Sequence, residues 1–472
     1  MFLKRAGRLI PASIISAAAL AALAAPGSAS AALGTQCSGS NITGQGASVE
    51  KIAFINVWDP EFNISTAKKA CSGKYGDKLK PSVEYTSSGS GTGLKSWGAE
   101  ESKSENETSK KPNPTNFSAT NAFIGTTEPP NAAQIANIES WQSTSSTNSV
   151  ETIPDAQFAL TILVNLPTGC TATSKGATGR LVLNDATLEG IFDGSITTWG
   201  AIKDDGDELK GSGCGADAIQ PVVRFDQAGT THVLKRFLYL INSSSFPAEG
   251  GGTNNWEELS EGKLNVDWPT AAKVIRPGAK DDEEEANKVA ATPGSIGYAN
   301  LAEVRTTKLF SGSGNGPTTG KFWVELENAS KTTGSGKTLK TTYTYADPAS
   351  NKDVEAAAKA NCADTVYVEG KTGGTKEFPP ASVYAPWNEV TSALTSKTYS
   401  LCGFTYVLAL SHYSDYLGTA LTEATTVNNF LNFVLEAAGG QKNIGENRDY
   451  LALPTKGEVI TEARDGAAEI ED

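Results

Sequence analysis

Histidine is almost missing from this chain: its 472 residues include two, His232 and His412. A Ser-His-Asp hydrolase would have to recruit one of them and present its serine on a nucleophile elbow. No G-x-S-x-G stands out in the sequence, so both histidines read as structural. No two cysteines form a C-x-x-C pair, which removes the commonest spacing of a zinc site; neither a metal nor a cofactor is expected. Positive charge is also short. Lys and Arg number 40 against 53 Asp and Glu, and a chain this acidic makes a poor nucleic-acid binder. Beyond the N-terminus no second stretch reaches the roughly 20 apolar residues of a membrane-spanning helix, so a soluble product is expected.

The N-terminus itself reads as a secretory signal peptide over residues 1–31. Lys4, Arg5 and Arg8 precede an apolar run that Pro26 ends, and Ala29-Ser30-Ala31 supplies the small-x-small cleavage pattern. A membrane anchor would need a longer run. The "GTQ" before Cys37 does not form a lipobox, so lipidation is not expected. Loss of the three basic residues deepens the formal charge from −13 to −16. The rest of the chain is too long for one ordinary core and suits two lobes. All six cysteines, Cys37, Cys71, Cys170, Cys214, Cys362 and Cys402, lie in that part. An even number in an exported chain suggests three disulfides. Fifteen connectivities are open; nearest-neighbour pairing gives Cys37–Cys71, Cys170–Cys214 and Cys362–Cys402.

Strand-like and helix-like segments alternate, which predicts an α/β fold. "SGSNITGQGAS" reads as a turn before a helix carrying Val49, Ile52, Ala53 and Val57. Val83 to Tyr85 begins a strand, and Leu94 and Trp97 lie on a helix. "FALTILVNLPTGC" and "YSLCGFTYVLAL" read as buried strands. "LEGIFDGSITTWGAI" reads as helix, turn and helix, and "IQPVVRF" as a strand. "KDDEEEANKVAA" reads as a helix whose acids face solvent and suit the helix dipole. Two terminal helices follow, at "TTVNNFLNFVLEAAG" and "VITEARDGAAEIED". Residues 99–120 are polar and aperiodic, a surface loop; 311–375 are rich in Gly, Thr, Ser and Lys and read as inserted β-hairpins and loops.

Four turns share one plan: "GQGAS", "SSGSGTG", "IGTTEPP" and "DQAGTT". Each is small and carries hydroxyls, and three of them open a helix. A helix N-terminus presents unpaired N–H groups and partial positive charge, and Ser and Thr add O–H donors. Several such ends converging would enclose an anion. Arg224 of "RFDQAGTT" would add a charge and a donor fork. Taken singly, each turn reads better as an ordinary cap or turn former.

The stretches "QGASVEKIAFINVW", "VEYTSSGSGTG", "FIGTTEP", "TILVNLPTG", "LEGIFDGSITTW", "VVRFDQAGTT", "TPGSIGYA", "YSLCGFTYVL" and "DYLALP" follow one another in the order of the phosphate-binding proteins that feed ABC importers, and the chain resembles that family over nearly its whole length. The resemblance implies a two-lobed periplasmic-binding-protein-like α/β fold. Lobe I would take 32–163 plus 402–472, and lobe II 164–401 with the insertion at about 311–375. The chain would cross the hinge near Leu163 to Asn165 and again near Ser400 to Gly403. It also implies non-catalytic binding of inorganic phosphate by an exported monomer, periplasmic or at the cell surface, that delivers to an ABC permease and ATPase. Residue by residue, the ligand would be held by Ser48 and the N–H of Val49, by Ser90, by Arg224 braced by Asp226, and by Gly229 and Thr230 at a helix start. Thr127 stands where the family usually has an Asp that accepts the phosphate proton, and Ala228 stands where it has a Ser. Weaker rejection of sulfate follows from the first change. Glu128 is adjacent, but neighbours on a strand face opposite ways. A scavenger without a permease, a binder of another tetrahedral oxyanion and a secreted phosphoester hydrolase are the alternative readings.

Overall fold

The computed structural model describes residues 39–65, 81–99, 121–139, 149–172, 180–204, 209–215, 217–310, 320–335, 339–349, 362, 366–367, 376–381, 386–390, 398–413, 421–445 and 449–471. Residues 1–31, read above as a signal peptide, Cys37 with Cys71, and nearly all of the 99–120 stretch read as a loop lie outside the described residues.

One long strand organises the architecture. β1 (Ile42–Gly46), β2 (Val83–Ser87) and β3 (Asn121–Thr126) pair in parallel, with β1 in the middle. β4 (Val150–Asn165) is 16 residues long and buried along its whole length. Between β3 and β4 lies the strand Cys402–Leu410, antiparallel to both. On β4, residues 150–159 pair with that strand, while Leu160 to Asn165 pair with the strand Ser295–Asn300. The partner therefore changes between Ala159 and Leu160. Leu163 to Asn165, the stretch expected at the crossing, are already paired inside the second set of strands.

β4 begins earlier than its apolar run suggests. Val150 to Gln157 carries Glu151, Asp155 and Gln157, all buried, and Pro154, which cannot donate to a ladder. A register shift lets the strand accommodate the proline: Thr405 pairs with Ala156 and Tyr406 with Pro154. Asp155 is left as the extra residue of a bulge. It accepts from the Thr405 hydroxyl, and burial pushes its carboxyl up to about 7.

Three other sequence expectations change. "NITGQ" is a strand rather than a turn: β1 has few apolar residues of its own and is sandwiched between two parallel neighbours. The second helix of "LEGIFDGSITTWGAI" shrinks to the 3₁₀ turn Trp199–Ala201 after the helix Asp185–Asp193, because Gly194 adopts φ 85° and stops the helix. "IQPVVRF" pairs as a strand only over Gln220–Pro221. Within 311–375, Lys321–Trp323 adds to the central sheet beside β4, and Glu325–Thr333 and Lys340–Ala346 form an antiparallel hairpin.

Two of the expected disulfides are present, Cys170–Cys214 and Cys362–Cys402, with Cα atoms 4.9 and 5.5 Å apart. Peptide mapping without reduction is expected to recover both pairs. Removing either is expected to cost about 2–4 kcal/mol of stability, read from denaturant unfolding; a free thiol at any of these four positions would contradict the pairing.

Candidate functional site

Three helix starts face one another at the edge of the sheets. β1 leads into the turn Ser48–Glu50, which opens a helical segment. β2 leads into the helix Ser90–Ser96, preceded by Gly89. Gly89 adopts φ 91°, and a Cβ there would lie 2.8 Å from Asp226 Oδ2, so glycine serves both the turn and the close approach. The amphipathic helix Gly229–Ile241 begins after Ala228. None of the three carries a side-chain cap on its N-cap residue, which leaves the first N–H groups to other partners. Asn265 fixes the entry to the third helix: its amide accepts from Ala228 N at 3.0 Å and donates to Ala228 O at 3.2 Å.

These ends are in direct contact. Gly91 N donates to Gln227 O at 3.1 Å, and Thr127 N donates to Ser90 Oγ at 3.2 Å. A Cβ on Gly229 would lie 1.7 Å from Thr127 Oγ1 and 2.8 Å from Ser90 Oγ. Ser48, Ser90, Thr127, Arg224 and Thr230 are all buried. Thr127 Oγ1 has no hydrogen-bond partner among the described residues, an unusual state for a buried polar atom. Val49 is buried beside Ser48, and its carbonyl accepts from the Tyr450 hydroxyl.

Arg224 spans the cage. Nε and Nη2 bind the two oxygens of Asp226 at 2.8 and 2.7 Å, the braced geometry expected. Nη1 donates to Asp282 at 2.7 Å, to Thr230 Oγ1 at 3.3 Å and to Ser48 Oγ at 3.4 Å. Burial alone would lower the Arg224 pKa; Asp226 and Asp282 outweigh it and raise it, so the guanidinium stays charged. Burial raises the Asp226 pKa, and Arg224 pulls it back.

Asp282 was not among the residues read from the sequence, and its role corrects the solvated reading of "KDDEEE". Asp281 caps the helix Asp282–Ala291 by accepting from Glu284 N. Asp282 and Glu285 are fully buried. The buried positions are 282, 285, 286, 289 and 290, one helical stripe, and that spacing is the signal that could have placed both acids inside. Burial pushes the Glu285 carboxyl up to about 8, against the pull of Arg224. Asp282 Oδ2 accepts from Asn300 at 2.6 Å.

Glu128 is drawn elsewhere: its Oε1 accepts from Gln227 Nε2 and from Gly262 N, each at 2.8 Å. His232 contacts Ser260 O through Nδ1, and burial, helped by Arg236, lowers its pKa to about 3. His412 lies against the hydroxyl of its neighbour Ser411. Among the described residues no group of three or more His, Cys, Asp or Glu side chains could hold a metal ion, and no helix is long and apolar enough to cross a membrane.

Residues 36–438 match the family model described as the PBP superfamily domain. The chain belongs to the PBP superfamily. Solved structures show the same fold at low identity. A phosphate-binding protein from Stenotrophomonas maltophilia aligns with TM-score 0.54 and 19% identity, over 90% of this chain and 93% of that one. A high-affinity periplasmic phosphate-binding protein solved with phosphate bound gives TM-score 0.51 and 18% identity over the same shares. The ancestral soluble variant of the human phosphate-binding protein gives TM-score 0.52 and 16% identity, over 91% of this chain and 93% of that one. No curated protein matches significantly. Within this PBP-superfamily chain, the eight positions named from the sequence, Ser48, Val49, Ser90, Thr127, Arg224, Asp226, Gly229 and Thr230, fall in one neighbourhood.

Proposed function

We propose that the cage around Arg224 binds a tetrahedral oxyanion, inorganic phosphate foremost, and that the protein is an exported binder that delivers it to an ABC-type permease and ATPase. The observation that carries this reading is the meeting of the charged, buried Arg224 with the uncapped N-terminus at Gly229 and the unpartnered Thr127 hydroxyl. Dipoles, hydroxyls and one guanidinium are the groups that hold an oxyanion without water. The names borne by the structural relatives agree in chemistry.

Binding without catalysis is part of the proposal: His232 is turned to the Ser260 carbonyl and burial lowers its pKa to about 3, and His412 lies against Ser411. So is a two-lobed action: walls as buried as these must part to admit an ion and close over it. The partner change at Ala159 and Leu160 supports a hinge there, which moves the expected boundary from 163/164 back to 159/160, with residues up to Ala159 plus 402–472 on one side and 160–401 on the other. Calorimetry on dialysed protein tests the reading with phosphate, arsenate, sulfate and molybdate. One phosphate per chain is expected, in a monomer by sedimentation. Absence of phosphate binding would defeat the proposal.

A further inference from the structure

This inference rests on the oxyanion reading and concerns how the cage tells one oxyanion from another. Near neutral pH phosphate carries an O–H and sulfate does not. A ligand proton enclosed among donors alone stays unpaired, and an unpaired buried polar group is costly. A hydroxyl can offer the ligand either its hydrogen or its lone pair, and its fixed neighbours decide which.

Three of the four cage hydroxyls have fixed neighbours; Thr127 Oγ1 has none among the described residues and can turn either way. Ser90 Oγ accepts from the backbone N–H of Thr127 at 3.2 Å, so its hydrogen is free to be given to an anion. Ser48 Oγ accepts from Arg224 Nη1 at 3.4 Å and is likewise left as a donor. Thr230 differs. Its Oγ1 stands 3.2 Å from Asp282 Oδ1 and 3.3 Å from Arg224 Nη1. The guanidinium can only donate and the carboxylate can only accept, so the hydroxyl hydrogen goes to Asp282. What Thr230 has left to offer a ligand is a lone pair. Asp282 is held in place for this: it is fully buried, Asn300 grips its other oxygen at 2.6 Å, and Asn300 itself accepts from Glu303 N at 3.0 Å.

We infer that Thr230, oriented by Asp282, is the hydrogen-bond acceptor that reads the proton of the bound oxyanion, so that the site selects hydrogen-bearing oxyanions such as phosphate and arsenate over fully ionised ones such as sulfate. Asp282 is the positioning residue and Thr230 the specificity-determining one. The carboxylate missing at Thr127 is replaced, one hydroxyl removed, from the opposite wall.

Calorimetric titration of the full chain with phosphate and with sulfate tests this. Wild type is expected to bind phosphate at least about 100-fold more tightly than sulfate. In Asp282→Asn the phosphate-to-sulfate ratio should fall about 10-fold or more, and adding Thr127→Asp to that variant should restore it. Thr230→Val should weaken phosphate about 10-fold and leave sulfate nearly unchanged, whereas loss of a simple donor would weaken both alike. Should Asp282→Asn fail to fold, Thr230→Val decides by the same criterion. Equal binding of phosphate and sulfate by wild type overturns the inference, as does a folded Asp282→Asn or Thr230→Val that keeps the wild-type ratio, including by losing both anions equally. A wild-type protein that binds no phosphate would instead remove the oxyanion reading beneath it.

Discussion

Arg224→Ala is expected to lose phosphate affinity by about 3 kcal/mol or more, roughly two orders of magnitude. Two effects add. The positive charge beside the proposed anion goes, and Asp226 and Asp282 lose the cation they share. Were Arg224 to line an open cleft, the fold would tolerate its removal. The guanidinium is instead buried with five hydrogen-bond acceptors around it: Asp226, Asp282, Ser48, Thr230 and the Lys280 carbonyl. A lower melting temperature is therefore expected alongside the lost affinity, since removing one partner of a buried ion pair is strongly destabilising. Arg224→Lys should recover part of both, because a point charge cannot serve Asp226 and Asp282 as the planar fork does. Titration calorimetry with phosphate and thermal unfolding measure the two effects. Wild-type phosphate affinity in a folded Arg224→Ala protein would place the binding site elsewhere.

Gly229→Ala is the second large effect. The added Cβ would fall 1.7 Å from Thr127 Oγ1, 2.6 Å from Thr127 Cβ and 2.8 Å from Ser90 Oγ, distances at which one wall of the cage must retreat. Overpacking of this kind typically costs about 1–3 kcal/mol. On the proposed two-lobed action the cost falls on the closed state, so phosphate affinity should drop about 10-fold to 100-fold. Small-angle scattering of the phosphate-loaded variant should resemble that of the anion-free protein. Thr127→Gly in the same chain removes the obstructing side chain and should return part of the affinity. Unaltered affinity in the single variant would show that the two walls do not meet at Gly229 when the anion is bound.

The cage was legible in the sequence where its chemistry is local. Hydroxyls and glycines at helix starts obey short-range rules, and "RFDQAGTT" holds Arg224, its brace Asp226 and the helix-start N–H groups of Gly229 and Thr230 within eight residues. Asp282 was misread because an acid in the first turn of a helix has two uses, and only its place on the buried stripe with Glu285, Ala286 and Val289 separates them. The Glu128 contacts with Gln227 and Gly262 were out of reach for a different reason: strand alternation gives the side of a residue, not the partner that comes to meet it. β1 was missed because its identity as a strand comes from β2 and β3 on either side rather than from its own five residues. The two buried strands with long apolar runs were recognisable, while the extension of β4 back to Val150 depends on a bulge that Thr405 completes from the far end of the chain.

The position of the strand Cys402–Leu410 between β3 and β4 fixes when this protein can fold. Thr405 meets Asp155 across 250 residues of sequence, and Tyr450 and Leu451 must still arrive to pair with Phe158 and Gln157. Closing loops of this length precedes any gain from the contacts they permit, which makes such topologies slow. Until the strand Cys402–Leu410 has been synthesised, β3 and β4 lack the partner that joins them, so this sheet stays incomplete through most of the chain's synthesis. A product truncated before residue 402 would lack the joining strand and leave β3 and β4 unpaired with each other.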